Sequence, residues 1–239
     1  MDRPADYRHL ELDSYVMGIK VGEITPIYSD SHQLNRTITE MYSLGYKLIF
    51  VKSMEEVKFS GSLYEHQKLS ENIFFELVLD GRDGSPQLIN SKVEPFNSQV
   101  SRNKLNDMAY GCSEYSHLRK DKKIKKEHVR EIYGKWVENA LSGKSQILLY
   151  MDEVNAGGMA VYSCFGNIIH INLLYVEERQ RNRGVATSLI NRVIAEGLNR
   201  KADRLRVAAQ RENSEAVEFY ERKGFVECTS YGIYHLWKR

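Results

Sequence analysis

The stretch LLYVEERQRNRGVATSLI, residues 173–190, changes character halfway along its length. Its opening continues an apolar run that starts at Ile168 and stops at Val176, as a buried strand does. A short, strongly charged segment follows. From Gly184 onward, Ala186, Leu189, Ile190, Val193, Ile194 and Leu198 fall on one helical stripe. The first turn of a helix leaves N–H groups unpaired and carries a partial positive charge, so a strand–loop–helix junction of this kind is an anion cradle. Gly184 admits a ligand close to the backbone and Ala186 keeps the same face small. Arg181 and Arg183 add charge-assisted donors for phosphate. Taken alone, these residues also fit an ordinary surface helix that begins with arginines and a glycine.

Upstream, three strands are expected over residues 146–151, 159–165 and 168–176, with turns at NAGG (residues 155–158) and Gly166–Asn167. They form an antiparallel meander. Before it lie helical material at 97–108, a charged run at 119–130 and an amphipathic helix at 127–141, with Ile132, Trp136, Val137 and Leu141 on one face. Downstream come a short strand at 205–207, a helix capped by Asn213 and closed by Gly224, and strands at 225–228 and 231–237. A meander feeding two strand–helix units predicts an α+β fold with a mixed sheet, and excludes the all-parallel start of a Rossmann domain. Residues 15–24 alternate loosely, 32–44 read as a helix ending at Gly45, and 46–51 and 72–79 read as strands. Residues 53–70 are expected to be irregular, and GRDGSP at 81–86 to open a linker. This organisation predicts a smaller N-terminal α/β domain over residues 1–92 and a second domain over 93–239.

Hydrophobic content of 42% and charged content of 28% describe a globular chain without a membrane-length apolar run. The net charge of +2 is unevenly divided, −4 over residues 1–92 and +6 over the rest. That bias suits a phosphorylated small ligand and is too weak to argue for nucleic acid. The three cysteines, Cys112, Cys164 and Cys228, show neither a disulfide framework nor a zinc spacing, and the histidines show no HxxxH pairing, so no metal is expected. The polar N-terminus does not read as a secretory signal, which makes the cytoplasm the expected location.

A second block, NSEAVEFYERKGF at residues 213–225, places Ala216, Phe219 and Tyr220 at helical spacing behind the Asn213 cap. In this order the two blocks resemble the GNAT superfamily of acetyl-CoA-dependent N-acetyltransferases. Arg181, Gly184 and Ala186 fit its signature of Arg or Gln, two variable positions, Gly, one variable position, then Gly or Ala. Ala186 and Asn182 stand where many members have Gly. The resemblance covers residues 93–239. It implies the GNAT fold, with acetyl-CoA as co-substrate. It further implies that backbone groups of Leu174 and Val176 bond the pantetheine arm. The amides of Arg181, Asn182, Arg183, Gly184, Val185, Ala186 and Thr187 would hold the pyrophosphate. Asn213 would contact the cofactor near its pantetheine, and Phe219 would line the channel. Tyr220 stands where the family commonly has a phenol beside the thioester sulfur. With a reference pKa of about 10, a phenol is protonated at neutral pH and can donate to the departing thiolate. The Val176 N–H can face the oxyanion. Glu177, Glu178 and His170 are near this site in sequence, though each also reads as a solvated or structural residue rather than a base.

The remainder is similar to the dTDP-fucosamine acetyltransferases, GNAT enzymes that acetylate the 4-amino group of a nucleotide-linked deoxysugar. The residues that carry this are 12–24, 41–50, Ser116–Leu118 with 136–140, and 230–239. Met17, His117 and Leu118 depart from that group's pattern, and 53–70 look inserted. The resemblance implies a dTDP-linked 4-amino-4,6-dideoxyhexose as acceptor, direct transfer in a ternary complex, and cations of the 115–126 loop (Lys120, Lys122 or Lys123) on the diphosphate. The alternatives are another small amine, a protein amino group, or a module that binds acyl-CoA without turnover. Small-molecule partners are expected, with no nucleic acid and no membrane, and a homodimer is the assembly to test.

Overall fold

The computed structural model describes residues 7–25, 31–60, 63–79, 90–153 and 155–239. In chain order the elements are β1 (Tyr7–His9), α1 (Glu11–Met17), β2 (Val21–Ile24), α2 (Ser31–Ser43), β3 (Leu48–Ser53) and β4 (Tyr64–Val78). Then follow β5 (Val93–Pro95), α3 (Arg102–Gly111), α4 (His117–Lys120), α5 (Lys126–Asn139), β6 (Gln146–Asp152), β7 (Asn155–Phe165) and β8 (Ile168–Val176). The chain closes with α6 (Val185–Asn199), β9 (Arg204–Gln210), α7 (Ser214–Arg222) and β10 (Val226–Lys238).

Among the described residues, ten strands join one mixed sheet in the order β1-β2-β3-β10-β4-β9-β8-β7-β6-β5. Only β2–β3 and β8–β9 are parallel. Side chains alternate across a strand, so each face collects its own core. In β3, Leu48 and Phe50 join the core under α3 and α5, whereas Ile49 and Val51 join the opposite core under α2. The apolar stripe of α6, including Leu189, Ile190 and Val193, packs on Ile169, Ile171, Leu205 and Val207 on that second face. The α+β class and the meander β6–β7–β8 agree with the sequence reading.

Several local expectations are corrected. NAGG is strand, not turn: a Cβ on Gly158 would sit 2.8 Å from Val185 Cγ1, so the glycine serves close strand–helix packing. The chain reverses instead around Glu153, whose φ is 58°. Residues 64–70, expected to be irregular, open β4, where backbone pairing with β10 holds a run of mostly exposed side chains in a strand. The strands expected at 225–228 and 231–237 are one strand, whose Thr–Ser step lies just past a register shift between Glu227 and Thr229. The loose alternation at 15–24 conceals a helix, α1, ended by Gly18 at φ 65°, before β2 begins. The helix expected at 97–108 starts later, at Arg102, capped by Ser101. The GRDGSP linker lies outside the described residues.

The strands of the N-terminal segment do not stand apart. β4 pairs with β9 from Asn72 to Val78 and with β10 along its length, and β10 also pairs with β3. Without residues 1–89, β9 and β10 lose the strand that lies between them. Such a fragment is expected to give no cooperative unfolding transition in urea, and co-expression with residues 1–89 is expected to restore one. A sigmoidal transition for the fragment alone would show that the sheet does not need β4.

Candidate active site

Two strands that start side by side and then separate create the site. β8 pairs with β9 only through Ile168–Ile171 and Arg204–Val207, although both strands run on. The register between β7 and β8 shifts at Asn172, an extra residue that bends β8 at the point of separation. Beyond it β8 ends in a short helical turn, Glu178–Gln180, and a tight loop with Asn182 at φ 59° and Gly184 at φ 78°. Gly184 is the N-cap of α6 and supplies no side-chain acceptor, so the first amides of the helix stay open.

A cleft of about 740 Å³ lies in this opening. Leu174, Val176, Arg181, Asn182, Gly184, Val185, Ala186, Thr187, Asn213, Phe219 and Tyr220 all line it. Of the residues expected there, Arg183 alone does not; it is exposed beside the cleft. Arg222 and Lys223, at the end of α7, also reach the wall, so cations stand on both sides of the open amides. This is a suitable cradle for the pyrophosphate of a CoA thioester. Asn213 caps α7, its Oδ1 accepting from the Ala216 N–H at 3.2 Å.

Tyr220 is 4% exposed and packs among Phe75, Phe219 and Phe225. Burial pushes its pKa up, which keeps the phenol protonated. Among the described residues no group hydrogen-bonds its hydroxyl. Cys112 shares this wall, and burial pushes its thiol up to about 12. A thiol in that state is no nucleophile at neutral pH. Glu177 is held by Lys104 and Arg179, and with Glu178 it faces a separate surface hollow. His170 faces a recess beside Arg206 and Phe74. None of these three lines the cleft.

Behind the cleft lies a second cavity, of about 380 Å³, which shares Cys112, Leu174, Asn213, Ala216 and Tyr220 with it. Its far wall comes from the N-terminal segment: Arg8, Asp13, Glu23, Phe50, Lys52 and Asn72. Sequence reading assigned none of these, because they reach the site only through the pairing of β1 to β4 into the common sheet and the packing of α1 beside it. Glu23 is paired with Arg8 and Lys52, both at 2.8 Å. Asp13 has no salt bridge among the described residues, and burial, aided by Glu23, raises its pKa to about 6. The loop cations lie elsewhere. Lys120 pairs with Glu212 at 3.3 Å and Lys123 with Glu65 at 2.6 Å, and neither lines the cavity.

Residues 113–234 match a family model described as an acetyltransferase (GNAT) domain, half of the chain. The chain belongs to the GNAT acetyltransferase family. Solved structures agree on the fold. A functionally unknown conserved protein from Staphylococcus epidermidis aligns with TM-score 0.69 at 10% identity, covering 100% of this chain and 92% of that one. A putative GNAT acetyltransferase from Novosphingobium aromaticivorans aligns at 0.55 with 16% identity, covering 80% and 74%. A GCN5-related N-acetyltransferase from Sphaerobacter thermophilus aligns at 0.56 with 13% identity, covering 96% and 75%. A search of curated proteins finds no match. GNAT domains use acetyl-CoA, and the cleft suits it. Among the described residues, no helix is long and apolar enough to cross a membrane, and no group of His, Cys, Asp or Glu is placed to hold a metal.

The unpaired Asp13 makes a prediction about stability. Its folded-state pKa of about 6 lies above the ordinary 3.8, so its cost to the fold is absent well below pH 3.8, grows as the pH rises between the two values, and is essentially complete above about 6. Asp13→Asn is therefore expected to be more stable than wild type by on the order of 2 kcal/mol at pH 7.5. At pH 4 the difference should shrink to well under about 1 kcal/mol. Urea midpoints at the two pH values measure this, and a pH-independent difference would contradict it.

Proposed function

We propose that this GNAT enzyme transfers the acetyl group of acetyl-CoA directly to a primary amine held in the cavity behind the cleft. The observation that carries this reading is that cleft and cavity meet at Tyr220. The thioester would enter from the α6 side and the amine from the N-terminal side. In this reading the amides of residues 181–187 hold the pyrophosphate, while backbone groups of Leu174 and Val176 hold the pantetheine arm. Asn213 and Phe219 line its path, and Tyr220 donates a proton to the departing sulfur. Residues 93–239 form the catalytic part and residues 1–92 an accessory part that walls the acceptor. The neutral Cys112 thiol supports transfer without an acetyl-enzyme.

For the acceptor we propose a dTDP-linked 4-amino-4,6-dideoxyhexose, supported by the sequence similarity at 116–118, 136–140 and 230–239. A diphosphate reaches Lys120 or Lys123 only by displacing Glu212 or Glu65. A second reading is therefore favoured by one observation: the unpaired carboxylate of Asp13 in the cavity suits a small cationic amine without a nucleotide.

Two measurements test the enzyme reading. Gly184→Val places a β-branched residue at φ 78° and a side chain at the open amides, and is expected to raise the acetyl-CoA Kd at least tenfold by calorimetry. An unchanged Kd in the folded variant would remove the assignment. Tyr220→Phe is expected to retain acetyl-CoA binding and lose about 10²-fold in kcat. A panel of nucleotide-amino-sugars, free amino sugars, polyamines and N-terminal peptides, followed by CoA release, separates the acceptor readings. Preference for a polyamine or peptide would overturn the sugar and leave the transferase standing.

A further inference from the structure

Three polar side chains outside the cleft form a connected chain that ends at the acceptor cavity. Asp121, at the C-terminal end of α4, receives three hydrogen bonds. Its Oδ1 accepts the Lys123 N–H at 2.8 Å. Its Oδ2 accepts the Trp237 indole N–H at 2.8 Å and lies 2.6 Å from His235 Nδ1. Burial disfavours the charged carboxylate, but the bonds from His235, Trp237 and Lys123 outweigh it and hold the pKa below the usual range. Asp121 is ionised and can only accept, so His235 carries its proton on Nδ1. His235 itself is 1% exposed, and burial keeps it neutral against the pull of Asp121. Its Nε2 is then a lone pair.

That lone pair lies 2.7 Å from His117 Nδ1. Two lone pairs do not face each other at this distance, so His117 donates from Nδ1 and its own Nε2 is bare. Among the described residues no donor engages that Nε2, and His117 lines the cavity shared with Tyr220. Phe50 fixes both rings, 4.3 Å from His235 and 5.0 Å from His117. The facing charged groups are Lys52 on β3, paired with Glu23 on β2, together with Arg8 and Asp13. Burial, His235 and Lys52 keep His117 unprotonated, so its lone pair is available at neutral pH.

We infer that His117 is the catalytic base that accepts the proton of the attacking amine, with His235 and Asp121 as positioning residues that receive and stabilise the resulting charge. This rests on the acetyl-transfer reading above. As the amine nitrogen bonds to the thioester carbonyl carbon, the carbonyl π pair moves to oxygen and the nitrogen becomes cationic. His117 Nε2 takes one N–H proton while the Nδ1 proton of His117 passes to His235 Nε2. The charge comes to rest on His235 beside Asp121. The C–S bond then breaks, and the sulfur leaves with the Tyr220 proton. Return of the relay's proton to the Tyr220 phenolate restores both groups, leaving amide and free thiol as net products.

The test has two arms. In wild-type protein labelled with ¹⁵N-histidine, His117 and His235 are both expected as Nδ1–H tautomers with bare Nε2 atoms. An Nε2–H on His117 overturns the inference whether or not any acceptor is known. In the second arm, the panel amine that turns over fastest is assayed with His117→Gln, His117→Gly and Asp121→Asn. His117→Gln should keep the acetyl-CoA Kd within twofold and lose about 10²-fold or more in kcat. Imidazole should restore part of the rate to His117→Gly, and Asp121→Asn should lower kcat with little change in KM. Wild-type kcat in folded His117→Gln, or a loss in His117→Gly that imidazole leaves unmoved, overturns it. Failure of every panel amine with wild type would instead count against the acetyl-transfer reading, and the tautomers would still decide the relay.

Discussion

The separation of β8 from β9 beyond Ile171 is the constraint from which the rest of the site follows. Two parallel strands normally satisfy each other's backbone groups along their whole shared length. Here the extra residue Asn172 turns β8 away from β9, and past it the Leu174 carbonyl accepts from Cys112 Sγ and the Val176 carbonyl from Arg181 Nε rather than from β9. Buried backbone groups need polar partners, and side chains supply them here; in the proposed reading the wedge also receives an extended ligand carrying amides of its own. The bare start of α6 adds an anion cradle at one end, and Tyr220 closes the other.

In the proposed reading the slot alone does not choose an amine, and that falls to a wall assembled from residues far away in the chain, which meet because β10 seats between β3 and β4. His235 faces Phe50 across the β3–β10 pair, which places the histidine chain and the cavity on the same side of the sheet. The charges there are unequal in standing. Glu23 has two salt-bridge partners, whereas Asp13 has no salt bridge among the described residues and is held in a place that disfavours its ionisation. Residues kept at such a cost are characteristic of functional sites.

The cleft proposed for the cofactor is legible in sequence because its parts are local. Residues 181–187 are contiguous, and Asn213, Phe219 and Tyr220 ride on one helix, so spacing alone indicates a shared face. The cavity proposed for the acceptor is not, because it depends on register between distant strands. His117 and His235 are 118 residues apart, and Asp121 and His235 are 114 apart. The same cause explains the local errors. The polar run 64–70 is a strand because β10 pairs with it, and NAGG is a strand because α6 needs small residues beneath it. In both cases tertiary pairing overrode turn chemistry and polarity. Arg183 illustrates the opposite limit: it lies in the same contiguous run, but its side chain is exposed beside the cleft rather than lining it.

The position of β10 also bears on how the protein is made. β3 and β4 leave the ribosome early, yet the strand that joins them spans Val226–Lys238. At about 5–20 residues per second, that strand emerges on the order of ten seconds after β4. Throughout this interval the flanks of β3 and β4 are open, and Ile49, Val51 and Phe75, all buried in the finished protein, lack their final cover. Unpaired apolar strands invite pairing with other chains. Protection of the nascent β3 and β4 during synthesis is thus a condition of the same sheet order that builds the wall of the second cavity.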